Sequence, residues 1–395
     1  MKIIRNRLFL AVALGHTTVD TFNNSGPVII AFLSVPLGLS NTQIGLAVSL
    51  YTLGGSVLQP VFGWLADRYG SRWLAGLGVF WLLSFMALAT FTAGLGQFVW
   101  LLIPYALASL GSAVYHPVAV ATASDAGKDS PATATAFFFL FGQMGLAGGP
   151  VLAGYLLQQI GLTGIQLMVL FFAPVVLFIL TAPFPKSRHA RSLEDDTPTD
   201  AVPAAAVRWG ALILLAALIA ARSWAQLGTI TFLPKLFQDK GWEPAAYGAI
   251  TGAMWLASAI MGVLAGTAAD RWGRKRVVFW MMAGAVVPLY FLPVVDGWVA
   301  FAMAFLAGGM LGAPHSILVV IAQALLPGKK AMASGLTLGY MFAMGAVANY
   351  GIGWMADRST LSGALQLGAG ISLAGALLAL ALPHTKTSTV AAESV

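Results

Sequence analysis

Long apolar segments, separated by short polar or glycine- and proline-containing breaks, fill almost the whole chain. A helix needs about 20 mostly apolar residues to cross the hydrocarbon core of a bilayer. The pattern therefore predicts an all-α membrane protein with twelve transmembrane helices. The predicted segments are 8–33, 40–66, 73–93, 98–124, 132–160 and 163–183, followed by 209–233, 243–269, 277–295, 297–325, 331–356 and 361–382.

One long polar stretch interrupts this pattern near the middle of the chain. It runs from Pro185 to Val207 and is rich in charged residues. Such a composition predicts a mobile linker between two halves. We therefore expect an N-terminal six-helix bundle over 1–184, a cytoplasmic linker over 185–207, and a C-terminal six-helix bundle with a short tail over 208–395.

The composition supports a membrane location and excludes several kinds of site. Hydrophobic residues make up 58% of the chain and charged residues 9%, against about 25% charged residues in a soluble domain. The chain has no cysteine, which excludes disulfides and thiolate metal sites. It also lacks a Gly-x4-Gly-Lys-Ser/Thr phosphate-binding loop. We therefore expect no cofactor, no metal and no direct coupling to ATP.

The positions of lysine and arginine predict the orientation. If the N-terminus lies in the cytoplasm, the opposite side of the membrane holds only Lys235, Lys240 and Arg358 of the 21 basic residues, and Arg222 lies inside a helix. Basic residues concentrate in cytoplasmic loops. The chain is therefore predicted to span the inner, cytoplasmic membrane with both termini in the cytoplasm. This topology accounts for the net charge of +7, so no nucleic-acid partner is expected.

A short motif occurs once in each half. GWLADRYGSR spans Gly63–Arg72 and GTAADRWGRKR spans Gly266–Arg276, with Asp67 and Asp270 at 203 positions from each other. A repeat of half the chain is typical of transporters built from two related bundles, with the substrate site near the midplane. We expect the two loops to act as a cytoplasmic gate through Asp67, Arg68, Arg72, Asp270, Arg271, Arg274 and Arg276. The alternative is that they are two ordinary basic loops.

This repeated Gly-x3-Asp-Arg-x-Gly-x-Arg pattern resembles the signature of the major facilitator superfamily. The resemblance implies two pseudo-symmetric six-helix bundles that work by alternating access, usually as a monomer. The first copy departs from the fuller pattern, because Ser71 stands where a basic residue is usual.

A narrower resemblance is to the fosmidomycin-resistance type of efflux protein. It rests on Gly15-His16 with Asp20, Leu58-Gln59-Pro60, Gly111 to Pro117, Pro314-His315-Ser316, Ala322-Gln323, Leu326-Pro327 and Ser334-Gly335. A glycine-proline run in the fifth predicted helix also resembles a motif associated with exporters, and consists of Gly145, Gly148, Gly149, Pro150 and Gly154. Close helix packing would require the same glycines.

Five ionisable residues lie inside predicted helices. They are Asp20 and His16 in the first, His116 in the fourth, Arg222 in the seventh and His315 in the tenth. A charge at the centre of a membrane helix costs about 2.5–3.5 kcal/mol on insertion scales, so such residues are usually functional. The resemblance implies that these four helices line the central cavity.

We expect Asp20 to be the proton carrier, with His16 one turn away as its partner. Shifting Asp20 by the repeat distance gives position 223, next to Arg222, so the two charges are expected to face each other across the cavity. Asp20 and an anionic substrate would compete for Arg222, and this competition would couple protons to transport. The alternative is a permanent structural ion pair between Asp20 and Arg222. The residues expected to bind substrate are Arg222, His116, His315, Asn23, Asn24, Tyr115 and Gln226.

The sequence therefore predicts a proton-coupled antiporter, not an enzyme, that exports a small anionic or amphiphilic compound. A fosmidomycin-like antibiotic is the substrate that the resemblance implies. A proton-coupled importer or a lipid or metabolite flippase of the same fold remains an alternative. A membrane-embedded enzyme or receptor is disfavoured, because the chain has no histidine-rich metal motif, no paired buried carboxylates and no sizeable soluble domain.

Overall fold

The computed structural model describes residues 3–69, 71–127, 130–184, 209–326 and 330–383, and these residues form an all-α membrane fold. The first half contains α1 (Arg7–Ser34), α2 (Asn41–Val57 and Gln59–Tyr69), α3 (Ser71–Thr92), α4 (Phe98–Ala126), α5 (Pro131–Ile160) and α6 (Leu162–Phe172 and Pro174–Leu180). The second half contains α8 (Pro244–Trp272), α9 (Arg274–Gly284 and Val286–Phe291), α10 (Gly297–Gly312 and Pro314–Leu325), α11 (Lys330–Ala356) and α12 (Leu361–Ala381). Between them, α7 comprises Trp209–Ser223, the π-helical turn Trp224–Gly228, and Thr229–Asp239.

The predicted segments correspond one to one with these helices, and the predicted all-α membrane fold is confirmed. Within the described ranges, nine helical segments are long and apolar enough to cross a membrane by themselves. Helix α1 is not among the nine; it carries the polar stripe around Asp20. The predicted linker over 185–207 lies outside the described residues.

Local capping starts several helices without help from the rest of the fold. Asn6 accepts hydrogen bonds from the backbone of Leu8 and Phe9 at the start of α1. Ser40 and Gln43 form a capping box at the start of α2. These side chains satisfy backbone N–H groups that the first turn leaves without helical partners.

The two ends of the helices define two faces. The terminal face holds the start of α1, the end of α12 and the loops that carry Arg68 and Asp270. The distal face is opposite and holds the start of α2 and the end of α11. We use these two names below.

At the distal face, helices of the two halves touch closely. Gly353 of α11 lies against the backbone of Asn41 and Thr42 at the start of α2. Gly154 of α5 lies against the backbone of Pro244 and Gly248 at the start of α8. A side chain at either glycine would collide with the facing backbone, so glycine permits this approach.

Toward the terminal face the same helices separate. Gly339 of α11 and Gly262 of α8 face open space, with no described atom within 4 Å of the position that a Cβ would take. Val61 and Trp64, near the end of α2, are 55% and 58% exposed. The described halves therefore meet at the distal face and diverge toward the terminal face.

Candidate functional site

Asp20 is the centre of a buried polar cluster in the first half. Its carboxylate lies 3.2 Å from His16 Nε2, one helical turn away, and 3.3 Å from His116 Nε2 on α4. Asn23 Nδ2 donates a third contact to Asp20 at 3.1 Å. Asp20 is 6% exposed, so these contacts replace the water that an exposed carboxylate would bind.

The outer ring nitrogens of the two histidines fix where their protons lie. His16 Nδ1 is 2.9 Å from the Phe138 carbonyl oxygen, and His116 Nδ1 is 2.9 Å from the Ser112 carbonyl oxygen. Because a carbonyl oxygen can only accept, these partners assign a hydrogen to each Nδ1. Both Nε2 atoms then face the Asp20 carboxylate.

Each of the two nitrogen–oxygen contacts therefore needs one more proton to become a hydrogen bond. That proton can reside on the imidazole or on Asp20. With one added proton the cluster is neutral, with two it carries a charge of +1, and with none it carries −1. The geometry thus creates a site that holds exchangeable protons.

Further neighbours hold the cluster in place. The Tyr51 hydroxyl donates to Asn23 Oδ1 at 2.6 Å, and Asn23 Nδ2 also lies 3.1 Å from Ser112 Oγ. The His16 ring stacks on Phe138 at 4.0 Å between centroids. Tyr51 and Ser112 were not predicted as site residues, although Ser112 lies in the Gly111 to Pro117 segment that carries the resemblance. Ser112 lies one turn before His116 on α4, and this spacing was the available signal.

The donor atoms of His16, Asp20 and His116 lie within 4.8 Å of one another, a spacing that also suits a small cation. The sequence predicted no metal here. Because both imidazole Nε2 atoms lie within 3.3 Å of the Asp20 carboxylate, where a proton completes each contact, we interpret the cluster as a site for protons.

Arg222 is the corresponding buried charge of the second half. It is 3% exposed, and its Nε donates to the Leu311 carbonyl oxygen at 2.9 Å. That carbonyl lies on α10 just before the interruption at Pro314. Among the described residues, the two terminal nitrogens of Arg222 have no hydrogen-bond partner. His315 lies close enough for electrostatic interaction with Arg222.

A π-helical turn follows Arg222 directly. It covers Trp224–Gly228, and single π-helical turns occur frequently at functional sites. Gln226, within this turn, donates to Ser258 Oγ at 3.2 Å. The Asn349 amide of α11, oriented to satisfy its contacts, donates to the Leu227 carbonyl oxygen at 3.3 Å. The turn thus brings polar groups of α7, α8 and α11 together near Arg222.

The expected direct approach of Asp20 to Arg222 is not present. The described ion-pair partners of Asp20 are His16 and His116, while Arg222 binds Leu311. A permanent Asp20–Arg222 ion pair is therefore wrong for this conformation. The described contacts of each charge lie within its own half, and the halves diverge toward the terminal face.

Tyr115 also differs from the expectation that it contacts substrate. Its side chain is completely buried, and its hydroxyl donates to the Val12 carbonyl oxygen of α1. Gly15 provides the space that the Tyr115 ring occupies. Tyr115 therefore packs α4 against α1 in this conformation.

The glycine run of α5 serves close packing. Gly145 and Gly149 lie against the backbone of Thr17 and Thr21 on α1. Asn24, which was expected to bind substrate, donates to the Leu146 carbonyl oxygen at 2.9 Å. Helix contact accounts for Gly145, Gly149 and Gly154, whereas Gly148 has no described atom within 4 Å of the position that a Cβ would take.

The predicted gating residues bind within their own halves where the structure describes them. Arg72 donates to the Leu180 carbonyl oxygen at the end of α6. Lys275, which was not among the predicted gating residues, donates to the Leu382 carbonyl oxygen after α12. The Arg68 guanidinium lies 5.7 Å from the Trp64 ring centroid.

On the second loop, Asp270, Arg271 and Arg276 are exposed. For these three and for Arg274, the described residues provide no hydrogen bond across the two halves. The side chain of Asp67 lies outside the part of the chain that the structure describes. For the described residues of the second loop, no hydrogen bond joins the two halves at the terminal face, in agreement with the separation of the halves there.

Comparisons with known proteins agree with this architecture. The fosmidomycin resistance protein of Escherichia coli strain K12 is 27% identical over 379 residues, covering 95% of this chain and 92% of the relative. A crystal structure of a D-xylose-proton symporter superimposes with a TM-score of 0.77 at 14% identity, covering 96% of this chain and 98% of that one. A bacterial homologue of the human lysosomal transporter Spinster, in an inward-facing and unoccupied conformation, gives a TM-score of 0.73 at 16% identity, with 95% and 94% coverage.

The two structural likenesses concern the fold alone. The family model of the Major Facilitator Superfamily matches residues 9–242 and 212–394, which together cover nearly the whole chain. This chain therefore belongs to the Major Facilitator Superfamily, whose members are membrane transporters and not enzymes.

Proposed function

We propose that this protein is a proton-coupled transporter that exports a small anionic or amphiphilic compound across the inner membrane by alternating access. The His16–Asp20–His116 cluster is the observation that carries the proposal. It is a buried group of exchangeable protons, and the His116 side chain is 21% exposed, which gives protons a way in and out.

The predicted orientation supports an inward-open assignment for this conformation. The basic residues of the loops and tails favour a cytoplasmic location for the terminal face. The divergence of the halves then opens the molecule toward the cytoplasm. A compound to be exported would enter from that side, and protons carried inward would leave there.

Arg222 is the proposed recognition group for an anion. A buried guanidinium can bind a carboxylate or phosphonate through two parallel hydrogen bonds, and the terminal nitrogens of Arg222 have no hydrogen-bond partner among the described residues. Gln226 and His315 are proposed to contact the same substrate. The name of the E. coli relative supports a fosmidomycin-like phosphonate and an outward direction, because removal from the cell is one way to confer resistance.

A second candidate function, proton-coupled import, is favoured by the charge count. Without substrate, the positive charge of Arg222 is balanced when the Asp20 cluster holds no added proton and carries a charge of −1. A bound monoanion neutralises Arg222, and balance then requires one added proton on the cluster. If the reorienting states are the neutral ones, proton and anion move together, which is symport.

A gradient experiment separates the two directions. Purified protein is reconstituted into liposomes, and uptake of fosmidomycin is followed after a pH jump of either sign. An exporter that exchanges substrate for protons concentrates fosmidomycin in the acidic compartment, whichever way the protein is inserted. A symporter concentrates it in the alkaline compartment. Accumulation that ignores the pH gradient, with protein-dependent equilibration intact, would contradict proton coupling altogether.

A further inference from the structure

Both helices that begin at the distal face and line the contact between the halves are capped from the opposite half. At the start of α2, Asp357 accepts from the backbone N–H groups of Asn41 and Thr42, each at 2.8 Å. It also accepts from the Thr42 hydroxyl at 2.6 Å. These backbone groups are among the four that a helix start leaves without helical partners. Asp357, which follows α11, thus binds α2 across the boundary between the halves.

The start of α8 has the same arrangement with the halves exchanged. Gln158, near the end of α5, accepts from the backbone N–H of Ala245 at 3.1 Å. The N-cap residue of α8, Glu243, makes no side-chain cap hydrogen bond. Gln158 therefore supplies from the first half the acceptor that the second half lacks.

These two contacts are related by the internal repeat. Thr42 and Ala245 are 203 positions apart, as are Asp67 and Asp270 of the loop motif. Gln158 and Asp357 are 199 positions apart, and so are Gly154 and Gly353, the glycines one turn before them. Donor and acceptor thus occupy equivalent places in both halves.

The sequence around Asp357 carries a further signal. Gly353 to Arg358 reads GWMADR, which differs in one residue from GWLADR at Gly63 to Arg68. The first part of the loop motif, Gly-x3-Asp-Arg, is therefore present a third time, on the distal face, where Thr360 and Ser362 replace the glycine and arginine that complete the motif. There its aspartate makes a contact across the two halves.

We infer that Asp357 and Gln158 form a distal gate, in which each half caps the first turn of a helix in the other half. The gate stabilises the conformation that is closed at the distal face and must open for the opposite conformation to form. The two sides are unequal. Asp357 presents a carboxylate to two N–H groups and one hydroxyl, and its negative charge is favourable at a helix N-terminus. Gln158 presents one neutral oxygen.

The absence of cysteine in the chain allows a direct test with two single-cysteine reporters. Ser49 of α2 is 5% exposed and donates to the Ala346 carbonyl oxygen of α11, so Ser49→Cys reports opening at the distal face. Ser56 lies two turns later, on the same face of α2 and nearer the terminal face. Ser56→Cys therefore reports closure at the terminal face. Labelling rates with a water-soluble maleimide are measured in detergent, without substrate or proton gradient.

In this assay Asp357→Ala should raise the labelling rate at Ser49→Cys by about fivefold, the size expected for loss of a helix cap. The rate at Ser56→Cys should fall. Asp357→Asn, which keeps one acceptor oxygen, and Gln158→Ala should each give a smaller change in the same directions. Asp239→Asn is the matched control, because Asp239 is a distal-face acid that pairs with Lys235 of its own helix. It should leave both rates unchanged.

Two results would overturn the inference. Unchanged labelling at Ser49→Cys in folded Asp357→Ala protein would show that the cap does not hold the face shut. Faster labelling at both reporters would show general loosening of the structure instead of a shift between two conformations. Neither result bears on proton coupling or substrate, which the assay does not involve.

Discussion

Asp20 and Arg222 are the buried charges of the two halves, and their surroundings differ. Asp20 has two imidazoles and an amide against its carboxylate, whereas the described contacts of Arg222 amount to one backbone carbonyl. Both side chains are almost fully buried, at 6% and 3% exposure. A buried charge needs compensation. Asp20 receives it from protons held by its own neighbours, and Arg222 has donor groups left for an external anion. The comparison separates the proposed proton site from the proposed substrate site.

The largest effect should come from removing the acid. Asp20→Asn cannot release a proton, so accumulation driven by a pH gradient should be abolished. Binding of fosmidomycin and downhill exchange should remain measurable, because Arg222 is unchanged. Both are assayed with the same protein in liposomes. If the variant accumulates substrate normally against a gradient, Asp20 is not the proton carrier.

The second effect should appear at Arg222. Arg222→Lys keeps the positive charge and loses the two-pronged geometry. Loss of a charge-assisted hydrogen bond costs about 1.5–3 kcal/mol, so anion affinity should fall about 10- to 100-fold. A titration of fosmidomycin measures this, and a neutral transported analogue provides the control, since its affinity should not change.

The double variant Asp20→Asn with Arg222→Gln sharpens the comparison. If Arg222 serves only to offset Asp20, the double variant should recover the expression and binding that Arg222→Gln alone loses. If Arg222 recognises the anion, binding should stay lost. Full recovery of binding would remove the proposed recognition role.

A smaller effect is expected at the two tyrosines. Tyr51→Phe removes the hydrogen bond that orients Asn23 toward Asp20 and should move the pH midpoint of transport. Tyr115→Phe removes a hydrogen bond that packs α4 on α1 and should lower stability by about 1 kcal/mol. Its pH profile should match the parent. Thermal unfolding and transport between pH 5.5 and 8 separate the two roles, and identical profiles for both variants would contradict the role given to Tyr51.

The smallest expected effect is that of pH on the distal gate. Partial burial tends to raise the pKa of Asp357, but hydrogen bonds from Thr42 and Asn41 outweigh it, so the pKa is lowered from its ordinary value. A lowered pKa means that the cap is fully present above the ordinary value, about 3.9, and is lost only as the pH falls through the lowered one. The neighbouring Arg358 lies on the Trp354 ring at 3.9 Å. Maleimide reacts with the thiolate, whose fraction rises with pH, so rates are compared with that of a free thiol at the same pH. On this relative scale, labelling at Ser49→Cys in Asp20→Asn protein should not change between pH 5.5 and 8.

Much of the candidate site could be predicted one helix at a time. His16, Asp20 and Asn23 share a face of α1 because helical pitch places residues three and four apart together. Ionisable residues in apolar segments are costly, which identified His116, Arg222 and His315 as well. The partners could not be predicted in this way. The packing of α4 on α1 decides these partners. It places His116 against the Asp20 carboxylate and the Tyr115 hydroxyl against the Val12 carbonyl oxygen.

The distal gate shows the same division. The sequence repeats the Gly-x3-Asp-Arg part of the loop motif at Gly353 to Arg358, but a motif does not predict which groups its aspartate contacts. Asp357 and the start of α2 are more than 300 positions apart, and Gln158 has no motif around it at all.

The sequence by itself determined the twelve helices, because hydrocarbon length, apolar composition and local capping act within single segments. It also determined which charges are buried, since burial in a membrane follows from position along an apolar segment. Only the tertiary structure decided which of those charges meet and which face is closed. These properties depend on contacts between helices that are far apart in the chain. If a helix rotated about its axis by the angle between two successive residues, every side chain on it would face a different neighbour.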